Sequence, residues 1–195
     1  SRVLAKIAAD YRPRAMFGGL LWRDRAVRYI YMDEAGTSLH EPVTVVVGVV
    51  ANADEHVMLA DAALHEALGS VPAPFREGFV FHATDIWGSS KYREAWTMAD
   101  RLKLLKTVMS LPRRIGMSVS MAMVRRTHVP GFPLQRISLE QYHHFKAFSD
   151  CVASADRYIR DHCGLKEGGT IVAEDCHDMR KYLRKIPRGC QVFCV

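Results

Sequence analysis

The chain has 195 residues, with 27 Lys and Arg against 21 Asp and Glu for a net charge of +6, and 49% of its side chains are apolar. That balance belongs to a folded protein of single-domain size and excludes a disordered, collagen-like or coiled-coil chain. The longest largely apolar run, Val43–Ala51, is far short of the roughly 20 residues a membrane-spanning helix needs, so no membrane partner is expected.

Charge is unevenly spread. Within residues 1–28, Arg2, Lys6, Arg12, Arg14, Arg23, Arg25 and Arg28 face only Asp10 and Asp24, and residues 1–26 read as a basic N-terminal segment before a single α/β domain over 27–195. A second cluster, Arg180, Lys181, Arg184 and Lys185, lies near the end. Such clusters are either solvated faces or contacts for a phosphate backbone, which makes nucleic acid the candidate partner. The five cysteines are odd in number, and no pair of short Cys spacings completes a zinc pattern. A reduced, cytoplasmic setting is the simplest expectation.

In chain order, Val27–Asp33 alternates as a strand, with Tyr29, Tyr31 and Asp33 on one face and Ile30, Met32 and Glu34 on the other. Gly36-Thr37-Ser38 turns the chain, and β-branched Val43–Val50 should pair antiparallel with the first strand. Asn52 and Glu55 have capping-box spacing for a helix whose Met58, Ala62, His65 and Leu68 share a face. Phe79–His82 reads as a short strand. Thr97 should cap a helix that stops at Pro112. Ile115–Met123 alternates large with small residues, and its small face invites a helix against it; the methionines are expected to pack.

Ser138 and Gln141 form a second capping box, opening a long helix to about His162 with a stripe of Tyr142, Phe145, Phe148, Val152, Ala155 and Ile159. That stripe is core spacing; its heptad-like period also admits a homo-oligomer contact. His143 and His144 flank it as exposed or core-edge residues. Ile171-Val172-Ala173 is a short strand followed by a basic helix to about Ile186. The alternation of strands and helices argues for an α/β layer with a mixed sheet, an N-terminal β-hairpin and flanking helices.

Acids terminate three of the predicted strands: Asp33-Glu34, Asp85 with His82, and Glu174-Asp175. Carboxylates gathered in one place raise one another's pKa, a cost that a divalent cation reverses. Mg²⁺ and Mn²⁺ take such oxygen ligands and activate water in phosphodiester cleavage. Tyr92, Trp87 and Trp96 near the His82 segment are expected in an aromatic core, with base stacking as the functional alternative. Gly18-Gly19 lacks the Lys and spacing of a phosphate loop.

The run Tyr29-Ile30-Tyr31-Met32-Asp33-Glu34-Ala35-Gly36 resembles the Tyr-x-Asp-Glu-Ser-Gly opening of the domain of unknown function 3800 family. Phe81-His82-Ala83-Thr84-Asp85 resembles its His-containing motif, and Ile171-Val172-Ala173-Glu174-Asp175 its later acid-ended strand. The resemblance covers about residues 27–186. It implies a ribonuclease-H-like fold and a metal-dependent nuclease or related phosphodiester hydrolase using Mg²⁺ or Mn²⁺. Asp33 is then the central metal ligand and Glu34 a ligand or hydrogen-bond acceptor, with Asp175 the second-strand acid and Glu174 its competitor. His82 and Asp85 position metal, water or substrate, and Arg180, Lys181, Arg184 and Lys185 hold the nucleic acid. The family's closing Gln-x-x-Asp helix has only Gln191-Val192-Phe193-Cys194 as counterpart, with Cys for Asp. The domain therefore reads as C-terminally incomplete, and the alternative is a non-catalytic nucleic-acid-binding or protein-interaction module on the same fold.

Overall fold

The computed structural model describes residues 27–38, 40–126, 138–163, 168–173 and, as backbone, 190–194. Its elements in order are β1 (Arg28–Ala35), β2 (Val43–Asn52), α1 (His56–Leu68), α2 (Ala83–Gly88), α3 (Met98–Arg114), β3 (Ser118–Arg125), α4 (Leu139–Tyr158), β4 (Gly169–Ala173) and β5 (Cys190–Cys194). The fold is mixed α/β, as the alternation of elements indicates. Where composition suggests one domain, the described residues fall into two compact units: 54–117, and 27–53 together with 118–194. No helix among the described residues is long and apolar enough to cross a membrane.

The second unit is a five-stranded sheet in the order β3-β2-β1-β4-β5. β1 pairs antiparallel with β2, which pairs antiparallel with β3; on its other side β1 runs parallel to β4, and β4 parallel to β5. Because β2 alone is reversed, β1, β3, β4 and β5 share one carboxyl edge. α4 opens with the expected capping box, the Ser138 hydroxyl accepting from the Gln141 N–H while the Gln141 side chain accepts from the Ser138 N–H.

The core lies between α4 and one face of the sheet. Ile30, Met32, Val46, Val50, Ile171 and Ala173 meet Ala147, Phe148, Cys151, Val152, Ala155 and Ile159 there. Each fully buried aliphatic or aromatic side chain stabilises this packing by roughly 1.5–3 kcal/mol relative to exposure. At Gly48 an added Cβ would meet the Ser120 hydroxyl of β3 at 2.7 Å and the Cys151 thiol of α4 at 3.4 Å. The small face of β3 thus receives a helix, as its Ser and Ala residues suggest. Cys151 and Cys163 are free thiols.

Several expectations change. β3 begins at Ser118 rather than Ile115, and its large face is open: Met121 is 64% exposed, with Val119 and Met123 also exposed. These methionines do not pack. The α4 stripe is spent on its own sheet, with Phe148, Val152, Ala155 and Ile159 all buried. Gln191–Cys194 belongs to a strand paired with β4, not to a helix. The basic segment 174–189 lies outside the described residues.

The first unit packs α1, α2 and α3 around Ala67, Val71, Ile86, Tyr92, Trp96 and Leu104. Asn52 ends β2 as a buried strand residue, so it caps no helix; α1 instead starts after Glu55 without a side-chain cap. Met58, Ala62 and His65 face solvent, while Ala67 is buried. Phe79–His82 is irregular because its aromatics join a cluster instead of a ladder: Phe79 lies edge-on to Phe81 and Trp96. Thr97 caps α3 as expected, its hydroxyl accepting from the Asp100 N–H. The helix passes Pro112 and ends at Arg114. Tyr92 and Trp96 are core residues, and Trp87 is exposed.

Candidate functional site

The carboxyl edge of the sheet gathers the chemistry-bearing residues of its unit. β1 runs unbroken through Ala35, so Asp33 and Glu34 point to opposite faces of the sheet, as strand alternation requires. They do not converge on one ion. Asp33 stands exposed on the Tyr31 face, opposite Val47, with its Oδ1 accepting from the Glu34 N–H at 3.0 Å. Glu34 continues the Ile30 and Met32 face under α4.

There Glu34 meets a residue that the sequence reading set aside. His144 Nε2 lies 3.7 Å from Glu34 Oε1, with side-chain exposures of 12% and 15%. Burial lowers the His144 pKa below its ordinary value, and the Glu34 charge pulls it back up in part. His143 is more extreme: it is 0% exposed, and neither ring nitrogen has a hydrogen-bond partner among the described residues. Burial lowers its pKa first, and the Arg126 charge lowers it further. His144 thus lies at the core edge, one of the two expected placements, whereas His143 is fully buried. The signal was in the spacing, because His144, Phe148, Cys151 and Ala155 recur at the helical period.

The turn after β1 locks the same edge. Gly36 has φ +75° and its carbonyl accepts from Thr44 Oγ1 at 2.8 Å and Arg126 Nη2 at 2.9 Å. The Arg126 N–H donates to the Pro42 carbonyl at 3.1 Å. β4 reaches this edge at Ala173, paired with Met32, one residue before Asp33. Glu174 and Asp175 follow next in the chain, and both lie outside the described residues, as do Arg180, Lys181, Arg184 and Lys185.

His82 and Asp85 belong to the other unit. They form their own pair, His82 Nδ1 to Asp85 Oδ2 at 2.9 Å, at the start of α2, with Thr84 Oγ1 3.2 Å from His82 Nε2. A groove of about 530 Å³ in this unit runs along α3, lined by Leu102, Lys103, Lys106 and Ser110, and includes neither residue.

Among the described residues no three His, Cys, Asp or Glu side chains come together as a metal-binding group. What they offer a hard cation is the Asp33 carboxylate on the open face. Mg²⁺ fits such a donor, because it is commonly held by one or two carboxylates and completes its shell with water and substrate phosphate. Glu34 and His144 form a separate, half-buried carboxylate–imidazole pair on the α4 face of the sheet. No family model, curated protein or solved structure matches this chain.

Proposed function

We propose that this protein is a divalent-metal-dependent phosphodiesterase acting on nucleic acid, with a ribonuclease-H-like sheet as its scaffold. One observation carries the reading: near its carboxyl end the central strand β1 presents exposed Asp33 beside parallel β4, whose last paired residue, Ala173, directly precedes Glu174 and Asp175 in the chain. Ligands of open α/β sheets bind outside the carboxyl ends of strands. The mixed sheet, antiparallel on one side of β1 and parallel on the other, is compatible with that scaffold.

Asp33, with Asp175 or Glu174, would hold Mg²⁺ or Mn²⁺, which supplies Lewis acidity and a low-pKa water when bound. Of the two roles open to Glu34, ligand or hydrogen-bond acceptor, the second fits and extends to accepting a proton, because Glu34 turns away from Asp33 and toward His144. Calorimetric titration of Mg²⁺ or Mn²⁺ into wild type, Asp33→Asn and Glu34→Gln checks this. Asp33→Asn should lose metal binding, whereas Glu34→Gln should keep it and lose turnover. Equal metal affinity in wild type and Asp33→Asn would overturn the assignment. Nucleic-acid binding without cleavage by the metal-loaded protein would leave the non-catalytic module in its place.

A further inference from the structure

β3 is the outermost strand on its side of the sheet, so the backbone N–H and C=O groups along its outer side meet no other strand among the described residues. Proteins usually shield such an edge with a charge, a proline, a bulge or a very short strand. β3 has none of these over residues 118–124. It runs for 8 residues in unbroken register with β2, holds no proline, and carries its only charge at its last residue, Arg125. Val119, Met121 and Met123 stand exposed on the open face of the same strand. An edge of this kind is a template for a further strand.

The order of residues along the edge selects its partner. Side chains that oppose each other across a ladder lie on the same face, so a strand pairing antiparallel with its own copy must have one residue facing itself. With Met121 on the two-fold axis, Val119 faces Met123 on the open side, while Ser118 faces Val124 and Ser120 faces Ala122 on the α4 side. Residues 118–124 are then all paired, and none of them is charged. Arg125 extends past the ladder, and its two copies lie about 27 Å apart, well beyond the screening length of about 10 Å. Moving the axis to Ala122 sets Arg125 against Val119, and moving it to Ser120 leaves Met123 and Val124 without a partner in the strand. Nor does α4 stand in the way. Its Cys151 lies over Gly48 of β2, and the two β2 strands would be three strand spacings apart, about 14 Å. Packed helices need only about 8–10 Å between their axes.

We propose that β3 pairs antiparallel with β3 of a second copy about a two-fold axis at Met121, joining the two sheets edge to edge. A one-strand interface is at the small end of specific contacts, so the dimer is reversible and in the micromolar range. Asp33, Val47 and Met121 share one row of paired residues. The dimer therefore carries both Asp33 residues on one face, five strand spacings or about 24 Å apart. Their joint use on one nucleic acid rests on the phosphodiesterase reading; the dimer does not.

The full chain is followed by sedimentation velocity over a concentration series without added metal. Wild type should pass reversibly from monomer to dimer. Met121→Lys sets like charges face to face on the axis and should weaken dimerisation at least tenfold. Because Met121 is exposed, that change leaves the monomer folded, as its melting temperature checks. A second pair of variants reads the register. Met121→Cys brings two thiols within disulfide reach across the axis, whereas Val119→Cys, exposed to a similar degree, holds them about 14 Å apart. Mild oxidation should cross-link Met121→Cys beyond the wild-type level and leave Val119→Cys at that level. A wild type that stays monomeric at millimolar concentration overturns the proposal and leaves the edge to a different occupant. A dimer that Met121→Lys does not weaken, or equal cross-linking through the two cysteine variants, overturns it as well. Should Met121→Lys not fold, the cysteine pair decides alone. A dimer with this register in a protein that binds no metal and cleaves nothing would keep the interface while removing the phosphodiesterase.

Discussion

Glu34 and His144 set how the sheet unit responds to acid. His144 and His143 both have folded-state pKa values below their ordinary one, with burial the leading cause. The unfolded chain therefore takes up protons first as pH falls through about 6.5, and stability drops with it, by about 1.4 kcal/mol for each unit of depression. Above that pH the contribution is fully present; below the folded-state values the loss stops growing. Melting temperature measured from pH 8 to pH 5 should fall on the acid side, and His143→Phe should flatten the slope. In Glu34→Gln the attraction is gone, so the His144 titration followed by NMR should move to still lower pH. A rise would show that Glu34 does not act on that ring. Gly36 is the other sensitive residue: at φ +75° a side chain is strained, and a Cβ would overlap the Val43 carbonyl oxygen. Gly36→Ala should cost more than about 1–3 kcal/mol of stability in denaturant unfolding, since the clash adds to the backbone strain.

At the scale of elements, α4 decides between a core helix and a self-association helix. Its Val152, Ala155 and Ile159 are buried against the same chain's sheet. Val152→Asp would place an unpaired charge there, at about 3–5 kcal/mol, a large part of a typical domain's stability. The expected product is a destabilised or insoluble protein; a stable, soluble monomer from a wild-type dimer would restore the oligomer reading. The sequence made this helix legible because Ser138 and Gln141 mark its start and the apolar period persists for five turns. Alternation likewise revealed that Asp33 and Glu34 oppose each other. β5 was illegible because five residues of mixed character owe their strand state to pairing with β4, a non-local partner. The buried face of α1 was ambiguous for the opposite reason, since Val57, Met58, Leu59, Ala60, Ala62, Ala63 and Leu64 leave apolar residues all round the helix. His144 was passed over because a histidine beside an aromatic stripe has no chemical signature until its carboxylate partner is brought across from β1.

For the whole molecule, the net charge of +6 becomes informative only through salt. A protein that grips a nucleic-acid backbone releases counterions, and its affinity falls with a log–log slope of roughly 0.9 per phosphate contacted on duplex DNA. Arg180, Lys181, Arg184 and Lys185 carry four charges in a run of six residues. If these four hold backbone, replacing all of them with Gln should lower the slope by about 3–4. Binding isotherms for single- and double-stranded oligonucleotides over a salt series measure that slope directly. A shallow slope in wild type, unchanged by the quadruple substitution, would mean that this basic run is a solvated face. Recognition would then have to come from the carboxyl edge of the sheet alone.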